Sequence, residues 1–585
     1  MKIIASRVAL AFSIATAAPA WGLEPSGPVE NFALLDHRGV AHELYYYNDA
    51  KAVVLMVQGN GCPISRNAWP RFRELRDEYA EKGVRFMLIN SNPQDHRASI
   101  SREAGEFGID LPILVDETQV IGESLGLIRT GEVLVIEPQD WTLAYRGALD
   151  DRLTYEVQKA AASRHYLKDA LDDLLAGNAV RTAKTDAVGC LVNFLHGQKD
   201  QHSRISYSEE VAPILKDKCV TCHRPGGIGP WAMTDYNMVR GFAPMIREVI
   251  RTRRMPPWHA DPAYGRFKND RSLSAEEIRT VVHWVEAGAP RGGGPDPLEA
   301  LEHVYPEWRL GEPDLIIEIP PTEVPATGIV KYQYHMVDNP LDGYAWVQAS
   351  EVIPGDPSAL HHVVGRFGFL ETGWFNDRQF KQEGFDQLGV YLPGRWTDIS
   401  SEDAGILLPP DATFEIEMHY TTYGKRTVDR SLLGLHFRDS PPKHHLQIAL
   451  FIDPGIKIPP HAKNHKETVE QIFFWGDVLA FDLHPHAHYR GKAMDFVAHY
   501  PDGTVETLLS VPNYDFNWQT SYKFETPKLL PQGTRVTYTT WWDNSIQNPA
   551  NPDPTREVPW GLQSMDEMLF GTIRFSYVNL PDQAD

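Results

Sequence analysis

Cysteine is scarce in this chain, because its 585 residues include only four: Cys62, Cys190, Cys219 and Cys222. So low a count excludes a scaffold held together by many disulfides. Basic residues are also fewer than acidic ones: the chain has 56 Lys and Arg but 78 Asp and Glu, so its formal net charge is −22. A chain without a basic excess lacks the charge that neutralises phosphates, so nucleic acid is not an expected partner.

Long apolar runs are missing as well. No stretch after the N-terminus reaches the roughly 18 apolar residues of a membrane-spanning helix, so no transmembrane segment is expected in the mature chain. The first 20 residues are typical of a signal peptide, because Lys2 and Arg7 precede an apolar run that ends in Ala18-Pro19-Ala20. Removing Lys2 and Arg7 would take the net charge from −22 to −24. We therefore expect an exported protein, periplasmic or secreted.

Three changes of composition divide the rest of the chain, which has enough aromatic residues (11%) to fill several cores. Residues 25–192 alternate apolar strands with amphipathic helices, which predicts an α/β domain with a mostly parallel sheet. Residues 205–292 carry short helical patterns, one of them beginning after Ser274, and predict a small all-α domain. Short alternating runs between turns then predict two all-β sandwiches, at 310–445 and 446–585.

A cysteine follows the first buried strand, in Gly59-Asn60-Gly61-Cys62-Pro63. A helix N-terminus favours thiolate over thiol, so this position lowers the pKa of the Cys62 sulfur and activates it. The arrangement resembles the thioredoxin/redoxin superfamily. However, Ser65 replaces the second cysteine of a Cys-x-x-Cys pair, and Gly131 stands where the superfamily has a cis-proline. A local dithiol is therefore not expected.

Cys190 could instead pair with Cys62 from far along the chain, closing a loop of about 130 residues. Two interpretations of Cys62 stay open at this point. One is a structural bridge or a vestigial site. The other is a working redox or peroxide-reducing thiol.

The second pair of cysteines lies in Cys219-Val220-Thr221-Cys222-His223. This is the spacing of c-type haem attachment, in which two thiols form thioethers and the adjacent histidine binds iron. The segment around Met255 resembles the methionine loop of small cytochromes c, so the resemblance implies a cytochrome c domain with Met255 as second axial ligand. His/Met ligation favours electron transfer. The alternatives are ligation by His259 and a five-coordinate iron.

Histidines cluster in the all-β half of the chain. His361 and His362 are adjacent, His419 follows, and His486 and His488 are spaced to lie on one face of a strand, about 7 Å apart. Two imidazoles on one face make half of a metal site, and a thioether that completes it selects soft copper(I). Three histidines without a thiolate or carboxylate suit copper or zinc.

The order of these histidines, followed by Asp566-Glu567-Met568, resembles the type II copper monooxygenases, which include the peptidylglycine α-hydroxylating and dopamine β enzymes. The resemblance implies two jelly-roll-like sandwiches that face a solvent-filled cleft. It assigns an electron-storage copper to His361, His362 and His419. It assigns the copper that binds dioxygen and abstracts hydrogen to the catalytic residues His486, His488 and Met568, with Met565 as a rival ligand.

Departures from that family bear on the substrate. His484 stands where the peptide-processing enzyme has an arginine that binds the substrate carboxylate, and Phe570 and Thr572 replace two further polar residues. A peptide C-terminus is therefore not the expected substrate, and the aromatic residues favour something less polar. The all-β region also lacks cysteine, so apolar burial alone must hold it together.

These predictions combine into an exported copper-dependent monooxygenase. It would hydroxylate a C–H bond of a small organic substrate with O2, using two copper ions. Electrons would come through one covalent haem c, from ascorbate or a periplasmic redox protein. The alternatives are an electron-transfer or copper-handling protein without C–H chemistry, and a haem-coupled thiol peroxidase acting through Cys62.

Overall fold

The computed structural model describes residues 23–197, 199–301, 308–368, 370–375, 378–380, 386–392, 397–400, 403–473 and 475–578. These residues form two compact units. The first unit contains the described residues up to Glu30 and Tyr47–Gly197, and the second contains Asn31–Tyr46 and the described residues after 198. The proposed signal peptide, residues 1–20, lies outside the described residues. Within those residues, no helix combines the length and apolarity needed to cross a membrane.

The first unit is an α/β domain around one five-stranded sheet. A hairpin of β1 (Ala33–Leu35) and β2 (Ala41–Glu43) belongs to the second unit. The sheet then contains β3 (Ala52–Val57), β4 (Val84–Asn90), β5 (Ile113–Val115), β6 (Val133–Glu137) and β7 (Thr142–Gly147), in the order β5-β4-β3-β6-β7. Its helices are α1 (Pro63–Tyr79), α2 (Arg97–Phe107), α3 (Val120–Leu125) and α4 (Tyr166–Leu175), with a 3₁₀ turn at Ala80–Lys82. Another 3₁₀ turn, Leu44–Tyr47, follows β2 and ends where the chain returns to the first unit.

The prediction of a mostly parallel sheet is wrong, because only two of the four strand pairings in this sheet are parallel. β3 pairs in parallel with β4, and β4 with β5, whereas β3–β6 and β6–β7 are antiparallel. The physical reason is that β6 and β7 follow each other through a tight turn, which can join only antiparallel strands. β3 is central and buried at all six positions, which explains its uninterrupted apolar sequence.

The second unit begins with short helices. They are α5 (Lys199–His202), a π turn (Tyr207–Val211), α6 (Ala212–Lys218), α7 (Tyr236–Gly241), α8 (Ala243–Arg251) and α9 (Ala275–Glu286). The predicted start of α9 is confirmed, since Ser274 and Glu277 form a capping box in which each side chain accepts from the other's backbone N–H. Trp284 of α9 is fully buried and donates its indole N–H to the Pro290 carbonyl at 2.8 Å.

The remainder is a large all-β region, as predicted, in two groups of strands. The first group is β8 (Leu315–Glu318), β9 (Thr322–Val324), β10 (Gln333–Asp338), β11 (Ala345–Ile353), β12 (Leu360–Gly368), β13 (Leu370–Phe375), β14 (Arg378–Phe380), β15 (Asp386–Tyr391), β16 (Thr397–Ile399), β17 (Ala404–Leu408), β18 (Thr413–Tyr420), β19 (Thr427–Asp429), β20 (Leu432–Phe437) and β21 (His444–His445). The second is β22 (Gln447–Ile452), β23 (Lys457–Ile458), β24 (His465–Ile472), β25 (Val478–His486), β26 (Gly491–His499), β27 (Val505–Val511), β28 (Tyr522–Leu530), β29 (Arg535–Trp542), β30 (Val558–Pro559) and β31 (Phe570–Tyr577).

Each group contains two main sheets. The first has β10-β18-β12-β15 and a six-stranded sheet of β21-β17-β11-β20-β8 with β16 on β11, and the second has β22-β31-β25-β28 and β24-β29-β26-β27. Separate clusters of buried residues fill the two groups, so each has its own core. We call them the first and second sheet pairs. Apolar burial supplies these cores without disulfides.

A segment from the helical part packs on the second sheet pair. We call this segment, residues 258–269, the docking arm. Its Phe267 lies opposite Phe524 as in an antiparallel strand pair. The Lys268 N–H donates to the Lys523 carbonyl at 2.9 Å. Phe267 is buried in the core of the second sheet pair. The segment that follows Met255 is therefore fixed to the edge of β28.

A buried carboxylate joins the two sheet pairs. Asp398 of β16 lies 2.8 Å from the Lys523 ammonium and 3.1 Å from the Arg574 guanidinium, and all three side chains are mostly buried. Removing one partner of a buried ion pair leaves an uncompensated charge, which typically costs about 3–5 kcal/mol.

Asp398→Ala should therefore lower the free energy of unfolding of the second unit by about 3 kcal/mol, measured by urea unfolding. The matched control is Glu506→Ala, which breaks the more exposed pair with Lys528. It should cost less than about 1 kcal/mol. Equal effects of the two substitutions would contradict a role for Asp398 in joining the sheet pairs.

Candidate functional site

Two cysteine sulfurs lie in contact in the first unit. Cys62 follows the loop after β3 and is the N-cap residue of α1, with Pro63 in the first helical turn. Its Sγ lies 3.1 Å from Cys190 Sγ and 2.9 Å from the Thr130 hydroxyl. Cys62 is buried, whereas Cys190 is exposed. The contact puts the two sulfurs within reach of disulfide formation.

A short strand-like pairing holds Cys190 over Cys62. The Thr130 N–H donates to the Cys190 carbonyl at 2.9 Å, and the Cys190 N–H donates to the Thr130 hydroxyl at 3.0 Å. Gly189 makes this approach possible, because a Cβ there would lie 1.8 Å from the Thr130 carbonyl oxygen. Since the Thr130 hydroxyl accepts from Cys190, its own hydrogen is available to the Cys62 sulfur.

The two thiols have opposite electrostatic environments. Burial raises the pKa of Cys62, but hydrogen bonds from the Thr130 hydroxyl, the Ser65 N–H and Cys190 outweigh it, so the pKa is lowered overall. The pKa of Cys190 is raised, first by its hydrogen bond to Cys62 and then by burial. Cys62 is therefore the sulfur that carries negative charge when the pair loses a proton.

The structure clarifies both departures seen in the sequence. Ser65 contributes its backbone N–H to Cys62 instead of a second thiol. Gly131 has a φ of +79°, a left-handed conformation that glycine tolerates, and the contact with the thiol comes from its neighbour Thr130. Thr130 was missed in the sequence, where a lone threonine gives no signal of this role.

Replacing Thr130 with valine should raise the pKa of Cys62, because the hydroxyl that stabilises the thiolate is lost. In the reduced wild-type chain the Cys62 thiolate should persist to lower pH than an ordinary cysteine thiolate. Thr130→Val should shift its ultraviolet titration midpoint upward by about one pH unit, with Cys62→Ser as the baseline. Thr142→Val, which loses only a bond to Asp140, is the matched control and should leave the midpoint unchanged.

The predicted haem-attachment motif, residues 219–223, lies directly after α6. The His223 N–H donates to the Cys219 carbonyl at 3.0 Å, so the motif forms a turn that puts both thiols and the imidazole close together. His223 Nδ1 lies 3.0 Å from the Trp231 carbonyl, which leaves Nε2 available to a metal. This is the usual way a ligating histidine is oriented, so the residues present fit a c-type haem.

The two alternative axial ligands have different neighbours. The Met255 N–H donates to the Val249 carbonyl at 3.2 Å, at the end of α8, and the residue is half-buried. His259 lies in the docking arm, where its backbone N–H donates to the Tyr522 hydroxyl oxygen. Of the two candidate axial ligands, Met255 is therefore the one that is hydrogen-bonded to the helical part of the unit.

Three histidines meet on neighbouring strands of the first sheet pair. His362 of β12 lies directly opposite His419 of β18, and a bulge between Leu360 and His362 allows the adjacent His361 to join them. His362 Nδ1 lies 3.2 Å from His361 Nδ1 and 3.1 Å from His419 Nδ1. Tetrahedral donors about 2.0 Å from one metal ion lie about 3.3 Å apart, so this triad fits a metal.

Burial keeps these imidazoles neutral, which is the form that binds metals. It lowers the pKa of His361 to about 4 and that of His419 to about 3, with the neighbouring His361 adding to the effect on His419. The pKa of His362 is also lowered well below its usual value, by burial and then by His419 and His361.

His486 and His488 lie at the end of β25 in the second sheet pair, with ring centroids 5.2 Å apart. His486 Nδ1 lies 2.8 Å from Gln519 Oε1, and His488 Nδ1 lies 3.2 Å from the Asp566 carbonyl. In both rings the second nitrogen, Nε2, is left for a metal. As in His223, a hydrogen-bond partner at Nδ1 orients the ring.

A buried carboxylate fixes the Met568 segment beside this pair. Glu567 is 0% exposed and accepts from the N–H of His488 at 2.8 Å, the N–H of Arg490 at 2.6 Å and the Trp542 indole at 3.1 Å. Burial raises the pKa of Glu567 to about 7. The sequence pointed to Met568 and missed the role of Glu567, which places residue 568 next to the histidines.

Aromatic side chains lie between the two histidine groups. The Tyr332 ring centroid is 4.6 Å from that of His419 and 6.5 Å from that of His488. Phe516 lies 5.9 Å from each of the same two rings. Both aromatic residues are buried. The resemblance implied a solvent-filled cleft at this place, whereas the described residues bring the groups together around a buried aromatic pair.

The residues expected to face a substrate also lie near this pair. His484 Nδ1 is 3.1 Å from the Ser521 hydroxyl and its ring stacks 6.4 Å from that of His486. Thr572 lies opposite His484, and Phe570 lies opposite His486, on the neighbouring strand β31. The structure therefore places these three side chains on the sheet that carries His486. The carbonyl of Met565, the rival ligand, accepts a hydrogen bond from the Arg490 guanidinium at 2.9 Å.

Comparisons with known proteins bear on the first unit. Residues 25–151 match the AhpC/TSA family. The chain is 29% identical over 130 residues to the thiol-disulfide oxidoreductase ResA of Halalkalibacterium halodurans, a stretch that is 22% of this chain and 72% of the relative. The first unit is therefore a thioredoxin-like domain.

Solved structures similar to the chain include three that cover a quarter to a third of it. An uncharacterized conserved protein from Geobacillus kaustophilus is 28% identical, with 30% of this chain and 94% of that chain covered and a TM-score of 0.28. Peroxidoxin BcpB from Mycobacterium tuberculosis is 19% identical, with coverages of 26% and 95% and a TM-score of 0.21. A putative thiol:disulfide interchange protein DsbE from Chlorobium tepidum is 14% identical, with coverages of 26% and 99% and a TM-score of 0.22.

Proposed function

We propose that the first unit is a thiol–disulfide oxidoreductase whose redox couple is Cys62 and Cys190. The observation that carries this proposal is the 3.1 Å contact between the two sulfurs, one buried with a lowered pKa and the other exposed with a raised pKa. The match to the AhpC/TSA family and to a thiol-disulfide oxidoreductase supports it. Of the two interpretations of Cys62, a working thiol is therefore the one we adopt.

The exposed sulfur is the point of entry. In the oxidised chain, a thiolate of an external dithiol attacks Cys190 Sγ, and the Cys62–Cys190 bond breaks. Cys62 leaves as thiolate, held by the Thr130 hydroxyl and the Ser65 N–H, and a sulfur of low pKa is the better leaving group. The second thiolate of the donor then displaces Cys190. The donor becomes a disulfide, and the chain gains two electrons and two protons.

The same steps in reverse reduce a substrate disulfide. The test is the reduction of insulin disulfides by dithiothreitol with and without the full chain, followed by the turbidity of the released B chain. The proposal expects the chain to accelerate reduction in proportion to its concentration. A rate equal to that of dithiothreitol alone, in a chain whose thiols are shown to be reduced, contradicts it.

The histidine groups support a second candidate function, a copper-dependent monooxygenase. The observation that favours it is the convergence of three imidazole Nδ1 atoms at 3.1–3.2 Å, beside a second pair of histidines whose Nε2 atoms are left available. Copper bound there would activate O2, so that a C–H bond becomes C–OH, with two electrons and two protons reducing the second oxygen atom to water.

The chain's own residues would divide the work as follows. His361, His362 and His419 would hold one copper ion, and His486, His488 and Met568 the other. Gln519 and the Asp566 carbonyl orient the second pair of imidazoles, and Glu567 fixes the Met568 segment. The small organic substrate would lie on the His486 side, near Phe570.

Cys219, Cys222 and His223, with Met255, would hold a haem c, which supplies electrons one at a time. The docking arm supports this arrangement, because it ties the haem-binding segment to the sheet that carries His486. Tethering raises the effective concentration of two reacting centres. Ascorbate or a periplasmic redox protein would be the external donor, and export would follow cleavage after Ala20.

Oxygen uptake tests this second candidate. The copper-loaded chain with ascorbate is screened against small aromatic, lipid-like and amidated compounds. We expect substrate-dependent O2 consumption that His486→Ala removes. Uptake that is unchanged in His486→Ala contradicts the proposed site. Copper binding without substrate-dependent uptake would favour an electron-transfer or copper-handling protein.

A further inference from the structure

Two acidic side chains hold the loop that leads from β3 to Cys62. Asp95 accepts from the Asn60 N–H at 2.9 Å, and both oxygens of Glu103 on α2 lie within hydrogen-bond distance of the Gly61 N–H, at 3.2 and 2.9 Å. Gly61 has a φ of +75°, so the loop makes a left-handed turn directly before Cys62. The thiol–disulfide steps described above use neither acid.

Glu103 also binds an arginine one helical turn beyond Cys62. The Arg66 backbone N–H donates to the Cys62 carbonyl at 3.1 Å, so the two residues are neighbours on one face of α1. The Arg66 guanidinium donates to both oxygens of Glu103, at 3.2 Å from Nε and 2.8 Å from Nη2. Its Cζ lies 4.3 Å from the centroid of the Phe107 ring, one turn along α2 from Glu103. Two side chains of α2 therefore fix the guanidinium beside the start of α1.

One carboxylate thus bonds to the chain on both sides of Cys62. Glu103 is buried, whereas the Arg66 side chain is 34% exposed. An arginine that meets a carboxylate through two parallel hydrogen bonds is held more specifically than one held by a single bond. Because residues 61 and 66 share this partner, the turn of helix that begins at Cys62 is fixed at both of its ends.

The pair also decides how much charge lies near the Cys62 sulfur. The pKa of Arg66 is raised, first by its hydrogen bond to Glu103 and further by the negative charges of Glu103, Glu106 and the Cys62 thiolate. This attraction is mutual, so the guanidinium favours the thiolate form of Cys62. The Glu103 carboxylate opposes it with a charge of the other sign.

We infer that Arg66 and Glu103 are positioning residues for thiol–disulfide exchange, whose ion pair fixes the start of α1 and balances the charge beside the Cys62 sulfur. Because it concerns the same cysteine pair, this assignment rests on the oxidoreductase function proposed above. Neither residue touches the substrate in this role, and both act through Cys62. Loss of the cation and loss of the carboxylate should therefore have opposite effects on the thiolate.

Ultraviolet titration of the Cys62 thiolate in the reduced full chain, with Cys62→Ser as the baseline, tests this assignment. Arg66→Gln should raise the midpoint by about half a pH unit, because the charge of Glu103 is left unbalanced. Glu103→Gln should lower it by about as much, because its amide oxygen can still accept from Gly61 while Arg66 is left unbalanced. The double substitution should return the midpoint to the wild-type value.

Two matched controls remove ion pairs farther along α1. Arg76→Gln breaks the pair with Asp110, and Glu74→Gln breaks the pair with Arg71. Both should leave the midpoint unchanged. Arg66→Lys keeps the positive charge and should also give the wild-type midpoint, which a role in packing alone does not predict. The groups in direct contact with Cys62, namely Thr130, the Ser65 N–H and Cys190, stay the same in all of these variants.

Shifts of the same sign in Arg66→Gln and Glu103→Gln, or no shift in either, would overturn the assignment. A thermal unfolding midpoint measured on each variant shows that the titrated chain is folded. The titration reports on the thiolate and needs no turnover. Failure of the oxidoreductase proposal would therefore be seen separately, as a wild-type chain that does not accelerate insulin reduction.

Discussion

Replacing Cys190 with serine should abolish disulfide turnover by the first unit. Cys190 is the exposed member of the pair, so without it an incoming disulfide or thiolate meets no accessible sulfur at this site. Cys62 alone is buried and cannot complete a two-electron cycle. The insulin assay should therefore fall to the rate of dithiothreitol alone.

A second substitution tests the same site through geometry. Gly189→Ala keeps both thiols but places a Cβ 1.8 Å from the Thr130 carbonyl oxygen, so residue 190 must move away from Cys62. We expect at least about a tenfold loss of turnover, because a small misplacement of reacting atoms is costly. Leu191→Ser, at an exposed neighbouring position, is the control and should retain full turnover. Turnover by Cys190→Ser equal to wild type would exclude Cys190 from the redox couple.

Replacing His362 with alanine should remove one of the two proposed copper ions. His362 is 2% exposed and its Nδ1 is the atom that both other nitrogens of the triad approach. Two remaining imidazoles are a weak site for copper. Metal analysis after dialysis should therefore fall from about two copper ions per chain to about one.

His461→Asn is the matched control for this experiment. His461 is exposed and has a φ of 59°, a conformation that asparagine also tolerates. It should leave the copper content unchanged. If His362→Ala keeps the wild-type copper content, or if His461→Asn lowers it equally, the triad is not the metal site that its geometry indicates.

The sequence predicted the elements that depend on local pattern. The all-apolar strand β3, the helix that starts after Cys62 and the capped start of α9 follow from hydrophobicity and capping residues that are neighbours in the chain. The mixed direction of the first sheet was missed, because strand pairing is decided by which strands meet in space.

The same limit applies to the candidate sites. Cys62 was recognised from its position before a helix, but the contact with Cys190 depends on Thr130 and on the room left by Gly189. These are contacts between segments about 60 residues apart, and no local pattern encodes them. Gln519 and Glu567 are comparable cases, because each is defined by the distant histidine that it touches.

The histidines of the proposed copper sites show the opposite situation. Their order along the chain was informative, because His361, His362 and His419 fall on strands that pair side by side. The bulge that lets two adjacent residues share one face could not be predicted, since strict alternation would send them to opposite faces. The docking of residues 258–269 on β28 was missed for a similar reason, because a single added edge segment has no periodic signature.

The central claim is that Cys62 and Cys190 form one two-electron couple, and a redox titration tests it most directly. The full chain is equilibrated with dithiothreitol buffers of graded potential, alkylated, and mapped by mass spectrometry. The account predicts that both cysteines lose alkylation together, along a two-electron curve, with a Cys62–Cys190 disulfide recovered at the oxidising end. Cys190 that stays alkylated while Cys62 is oxidised, or two separate transitions, would contradict it.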